Sequence, residues 1–236
     1  MVKAVLFDLD NTLIDFMRMK HASCEAAVEA MIAAGLRLRK DRAIAALYAL
    51  YDRYGYEHSL IFQKFLQHTS HRIDPRILAE GIVAYRKVQA GVTEPYPHVI
   101  PTLLRLKERG LKLGIVSDAP RLKAWMRLVE MRIQDFFDVV VCFEDTGKRK
   151  PSALPFRKAA TLLKLAPHEC LMVGDWPERD ITGAKAVGMP TAFARYGAMK
   201  IVPKGKSGAT YEINGFDELV AVVEKIAKKH LNQHAR

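Results

Sequence analysis

The chain has 236 residues, half of them hydrophobic and 27% charged, which is enough to bury a core and excludes intrinsic disorder or a low-complexity scaffold. Its net charge is +11, but the basic residues are spread along the whole length. The densest clusters, Arg37-Leu38-Arg39-Lys40 with Arg42 and Lys148-Arg149-Lys150, lack interleaved aromatics, which disfavours a nucleic-acid partner and leaves a general pull on anionic small molecules.

The first strand is expected over residues 4–9, an apolar run. Residues 15–95 read as helices alone. Cys24, Ala27, Val28, Met31 and Ile32 recur at helical spacing and stop at Gly35. Asp41 is the expected cap of a second helix through Ile44, Leu47, Leu50 and Tyr51, and Leu60, Ile61, Phe65 and Leu66 mark a third. Asp74-Pro75 opens a fourth, running through Ile77, Leu78, Ile82, Tyr85 and Val88. So long an all-helical stretch between a strand and the rest of a sheet is an inserted domain rather than a loop.

From residue 96 onward strands and helices alternate. Strands are expected over 111–116, 136–143, 170–173 and 190–194, and helices over 121–131, 153–163, 181–187 and 217–230. The fold class is therefore α/β: a Rossmann-like parallel sheet covered on both faces, with an inserted all-helical domain. The boundaries are 1–14 and 96–236 for the core and 15–95 for the insert.

The longest uncharged stretch is residues 95–104, short of the ~18 apolar residues of a membrane span. Asp8 and Asp10 interrupt the N-terminal apolar run and no small-residue cleavage site follows, so the expectation is a soluble, cytoplasmic protein without a membrane partner. Cys24, Cys142 and Cys170 are far apart among apolar neighbours and read as small core residues. Asparagine is scarce (Asn11, Asn214, Asn232), a trait of heat-adapted chains. A monomer and a homodimer are equally compatible with the sequence.

Four expected strands end in polar residues. Asp8, Asp10 and Thr12 follow the first, Ser117 the second, Lys150 lies beyond the third, and Asp175 follows the fourth with Asp180 five residues on. Ligands of open α/β sheets bind beyond the carboxyl ends of the strands, so these side chains are expected in one crevice. Several carboxylates in one place need a counter-charge, and an all-oxygen set favours Mg²⁺. One aspartate is then left as nucleophile and another as acid/base, with Lys150 and Ser117 to hold phosphoryl oxygens. These residue types point to metal-assisted phosphoryl transfer.

The series Asp8-Leu9-Asp10-Asn11-Thr12-Leu13, Ser117, Lys150-Pro151 and Gly174-Asp175 with Asp180 resembles the four motifs of the haloacid dehalogenase (HAD) superfamily, in order and in strand context. The likeness spans nearly the whole chain. It implies that Asp8 attacks phosphorus to form an aspartyl-phosphate, and that Asp10 protonates the leaving alcohol and then activates water. It also implies that Asp8, the Asp10 main-chain carbonyl and Asp175 hold Mg²⁺, with Asp180 behind them ordering Lys150 or a metal-bound water. Ser117 and Lys150 bind the phosphoryl oxygens, and Thr12 supports the nucleophile loop. The insert matches the family's helical cap, which closes over the site and excludes water.

Within the superfamily, dehalogenases carry an aromatic residue and Gly where this chain has Asp10 and Asn11, and they need no metal. Phosphonate cleavage requires a cap lysine that forms an imine, and nothing in the sequence marks Lys20 or Lys64 as desolvated. The expected activity is a Mg²⁺-dependent phosphomonoester hydrolase whose partner is a small phosphate ester. The cap type resembles archaeal phosphatases of short sugar phosphates such as glyceraldehyde 3-phosphate. A phosphomutase shares all four motifs and is the alternative. A non-enzymatic binding scaffold is the second alternative, disfavoured because such a scaffold is expected to have lost a motif residue and none is lost here. Around the motifs, Asp118 is expected to cap the helix after Ser117. Lys148 and Arg149 read as solvated charges, and His21, His58, His68 and His71 as surface residues. Trp176-Pro177 is unusual beside Asp175, and His98 stands where relatives have Gly.

Overall fold

The computed structural model describes residues 1–234, with side chains described through Lys229. In chain order the elements are β1 (Ala4–Phe7), α1 (Phe16–Ala33), α2 (Lys40–Tyr54), α3 (Ile61–Ser70), α4 (Pro75–Val92), α5 (Val99–Glu108) and β2 (Lys112–Val116). There follow α6 (Arg121–Glu130), β3 (Val139–Val141), α7 (Phe143–Thr146), α8 (Ala153–Leu163), β4 (Cys170–Gly174), α9 (Thr182–Ala186), β5 (Thr191–Ala194), β6 (Tyr211–Ile213) and α10 (Glu218–His234). They form two compact units: Phe16–Thr93, and Met1–Asp15 together with the chain from Glu94 onward.

The second of these is an α/β unit whose sheet has the order β3-β2-β1-β4-β5-β6, every pair parallel. Its strands are apolar because both faces are covered, and all four residues of β1 are buried. On one face Leu6, Val116, Val141 and Met172 pack with Phe156, Ala159 and Leu163 of α8. On the other, Phe7 stacks on Phe216 at 5.6 Å and meets the edge of Phe137 at 6.3 Å. The strand order reverses between β1 and β4, and the crevice beyond their carboxyl ends is the natural ligand position of such sheets.

The structure departs from the sequence expectations at several edges. The 136–143 strand narrows to β3, because Gln134–Phe136 forms a short 3₁₀ turn before it and Phe143 already starts α7; just ahead of β3 the Asp138 carboxylate accepts the Leu113 N–H at 2.7 Å. The short edge strand β6 carried no sequence signal strong enough to be expected. The 181–187 helix is preceded by a single π turn, Pro177–Ile181, before α9 begins. Asp118 does not cap α6: its Oδ1 accepts the Lys150 N–H at 2.9 Å, and the Arg121 N–H is taken by Glu144 instead. His98, in place of Gly, adopts the left-handed φ of 66° that opens α5.

In the helical unit, α1 and α4 pack closely because Gly81 lies against the Met31 side chain, where a Cβ would collide. Met31, Leu47, Tyr51, Phe62 and Phe65 form its core. Asp74 caps α4 by accepting the Arg76 and Ile77 N–H groups. Asp41 does not cap α2: Arg39 occupies that position and binds the Asp41 carboxylate. Lys20 corrects the sequence reading, since it is buried, donating to the Tyr85 hydroxyl at 3.0 Å with its Nζ 4.6 Å from the Tyr51 ring centre. His68 and His71 are exposed, and His21 is exposed while stacking on Tyr48.

Candidate active site

The chain reverses direction at the end of β1 in a tight turn. Asp8 still belongs to the sheet, donating its N–H to the Val173 carbonyl at 2.9 Å, and the turn closes through Leu13 N–H to the Leu9 carbonyl. Asn11 takes a φ of 60°, a region that asparagine tolerates better than most residues. Two contacts fix this turn from behind. The Tyr196 hydroxyl donates to the Thr12 carbonyl at 2.8 Å, and Gly197 approaches so closely that any Cβ would strike the Asn11 carbonyl oxygen. The Thr12 hydroxyl donates to Asp175 Oδ1 at 3.1 Å, tying the turn to the end of β4.

Lys150 is the centre of charge. Its Nζ lies 2.6 Å from Asp8 Oδ1 and 2.6 Å from Asp180 Oδ1, with the lysine side chain 2% exposed. Burial works against its charge, but Asp180 and Asp8 outweigh that and hold the ammonium above the usual lysine range. Asp180 reaches this position because Gly174 has no side chain to block it, and its other oxygen accepts the Trp176 N–H at 3.0 Å. Trp176 is itself covered by Arg179, whose guanidinium carbon is 3.9 Å from the ring centre.

Carboxylate oxygens of Asp8, Asp175 and Asp180 lie within 4.8 Å of one another, and all three residues are buried. Burial, then the neighbouring Asp8 and Asp180, push the Asp175 carboxyl well above the usual carboxylate range. One lysine is too little positive charge for this set, and an all-oxygen, crowded, buried donor group fits a hard divalent cation. The side-chain grouping holds the two carboxylates the resemblance implies as ligands, Asp8 and Asp175, and adds that of Asp180. Asp10 turns its carboxyl to Arg127, with Nη1 3.0 Å from Oδ2. Ser117 ends β2 beside β1, donating its N–H to the Val141 carbonyl at 2.9 Å while its Oγ accepts the Ala119 N–H.

Of the sequence-expected residues, Asp8, Lys150 and Asp180 are joined by ion pairs and Thr12 by a hydrogen bond to Asp175, whose carboxylate lies within 4.8 Å of those of Asp8 and Asp180; Ser117 is at the neighbouring strand end and Asp10 in the same turn. Lys148 and Arg149 are exposed, as expected. Sequence reasoning missed Arg127, Tyr196 and Gly197. Arg127 did leave a signal, since it falls on the same face of α6 as the buried Ala124 and Leu128.

A sequence model described as haloacid dehalogenase-like hydrolase matches residues 2–188. The chain is 36% identical to a glyceraldehyde 3-phosphate phosphatase of Methanopyrus kandleri, over 97% of this chain and all of the relative. A protein of the same name from Methanocaldococcus jannaschii is 34% identical, again over 97% of this chain and the relative's full length. Among solved structures, an HAD phosphatase from Thermococcus onnurineus superposes with a TM-score of 0.69 at 26% identity, covering 94% of this chain and 98% of that one. With its motifs gathered at the carboxyl ends of β1, β2 and β4 and matches of this extent, the chain belongs to the haloacid dehalogenase-like hydrolases.

Proposed function

We propose that this phosphatase is a Mg²⁺-dependent phosphomonoesterase that passes the phosphoryl group of a small metabolite ester to Asp8 and then to water. Glyceraldehyde 3-phosphate is the first candidate substrate, supported by the name of its full-length archaeal relatives. The observation that carries the mechanism is the buried Lys150 ammonium 2.6 Å from Asp8 Oδ1, beside Asp175 and Asp180.

In this reading Asp8 attacks phosphorus in line with the departing ester oxygen, forming an aspartyl-phosphate. Asp10 gives its proton to the leaving alcohol and afterwards takes one from the water that cleaves the acyl phosphate. Lys150 and the Ser117 hydroxyl bind the phosphoryl oxygens, where fixed charge and donors stabilise the transition state. Thr12 keeps the turn in register with Asp175, and Asp180 holds Lys150 in place. Mg²⁺, bound through Asp8, the Asp10 main-chain carbonyl and Asp175, would neutralise charge on the transferring group. Residues 15–95 are read as the cap domain that selects the ester.

The test is inorganic phosphate release from glyceraldehyde 3-phosphate and a panel of small phosphate esters, with Mg²⁺ and with chelator. Metal-dependent release led by a triose phosphate supports the reading. Silence on every ester overturns it, and interconversion of sugar phosphates without release assigns a mutase. Asp175→Ala should shift the Mg²⁺ titration to much higher concentration, and an unchanged titration would place the ion elsewhere.

A further inference from the structure

We infer that Arg127 is a positioning residue for the proton-transferring carboxyl of Asp10. The inference rests on the phosphatase reading, in which Asp10 serves the leaving group.

Arg127 lies on α6, the helix that follows the Ser117 strand end. On that helix Leu122, Trp125, Met126 and Val129 are exposed, while Ala124, Arg127 and Leu128 are buried. The arginine therefore occupies the inward stripe, where an aliphatic residue would ordinarily stand, and an apolar stripe points outward instead. The other basic residues of the segment, Arg121, Lys123 and Arg132, remain exposed. Burying a guanidinium is costly unless an anion meets it, and the Asp10 carboxylate is such an anion. The Arg127 side chain is 5% exposed, and Nη1 lies 3.0 Å from Asp10 Oδ2.

Asp10 stands two residues past Asp8, within the turn and outside the carboxylate cluster. A proton donor must stay within hydrogen-bond reach of the atom it serves, and a displacement of about 1 Å can cost about 10²-fold in rate. The short Asp10 side chain has two rotatable bonds, and a planar guanidinium anchored in the packed face of α6 fixes its direction. Lysine at this position would keep the charge but lose the planar set of donors.

The experiment compares kcat/KM for an alkyl ester, glyceraldehyde 3-phosphate, with that for 4-nitrophenyl phosphate in the wild type, Arg127→Met, Arg127→Lys, Asp10→Asn and the Asp10→Asn/Arg127→Met double variant. An alkoxide needs a proton to leave, whereas 4-nitrophenolate leaves without one. Arg127→Met keeps the apolar packing and should lose about 10²-fold on the alkyl ester and at most about tenfold on the aryl ester. Arg127→Lys should recover part of that loss. In the Asp10→Asn background the Arg127 substitution should cost almost nothing more, because the two residues act as one unit. A crystal structure of Arg127→Met should show the Asp10 carboxyl turned from its wild-type direction. Equal losses on both esters, losses that multiply in the double variant, or an unmoved Asp10 overturn the proposal. So does an Arg127→Met or Arg127→Lys enzyme with wild-type kinetics. Failure of the phosphatase reading is separately visible, as a wild type that releases phosphate from neither ester.

Discussion

Asp180 and Lys150 form the most deeply buried ion pair of the site, 2.6 Å apart with side chains 1% and 2% exposed. Asp8 shares the same ammonium, so a single cation supports a nucleophile candidate and a structural anion at once. Removing one member of a buried charge set leaves the others uncompensated. Lys150→Met should therefore cost about 3–5 kcal/mol of stability in chelator, and much of that should return when Mg²⁺ is added. Denaturant titration with and without metal measures both numbers. A variant as stable as the wild type in chelator would mean that the carboxylates are already neutral there.

Asp8→Asn should abolish turnover, by about 10⁴-fold or more, because an amide cannot form the acyl phosphate. The fold should persist, since Lys150 keeps Asp180. Steady-state phosphate release and thermal melting of the same sample decide this, and activity near wild type would remove the covalent mechanism.

Gly197→Ala tests the clamp behind the turn that carries Asp8 and Asp10. An added Cβ would strike the Asn11 carbonyl oxygen, a backbone atom with no rotamer to escape by. The expected cost is about 1–3 kcal/mol, with a fall in kcat as the turn carrying Asp8 and Asp10 shifts. Unaltered melting and turnover would show that the loop after β5 yields instead.

Asp138 gives the stability curve a pH dependence. Burial pushes its carboxyl up, but the Leu113 N–H and the Lys107 ammonium together outweigh burial and hold it below the usual carboxylate range. A group depressed on folding stabilises the native state above its unfolded pKa, about 4 for aspartate, and loses that contribution as pH falls through the lower folded value. Asp138→Ala should cost about 1 kcal/mol at neutral pH, and the gap from wild type should narrow below about pH 4. Parallel curves down to acid unfolding would contradict this.

The strand runs were legible because a parallel sheet buried on both faces demands continuous apolar segments, and 170–173 and 190–194 fall within a residue of β4 and β5. The four helices of residues 15–95 were legible from their spacing, and the polar residues after each strand from their place at strand ends. β6 was not, since three residues pair there through backbone groups that no side-chain pattern announces. Nor was the π turn before α9, which lets Asp180 N–H share the Trp176 carbonyl with Arg179.

By itself the sequence determined the long strands and helices, the chemistry of the side chains and their order along the chain, because periodicity and residue type are local properties. Which carboxylates cluster, which one turns to Arg127, and which glycine admits a neighbouring backbone were decided only by the tertiary structure. Those relations join Asp10 to Arg127, Asp8 to Lys150 and Asn11 to Gly197, all more than 100 residues apart in sequence. Sequence spacing carries no distance across such separations. The sheet register and the close approach of loops supply it.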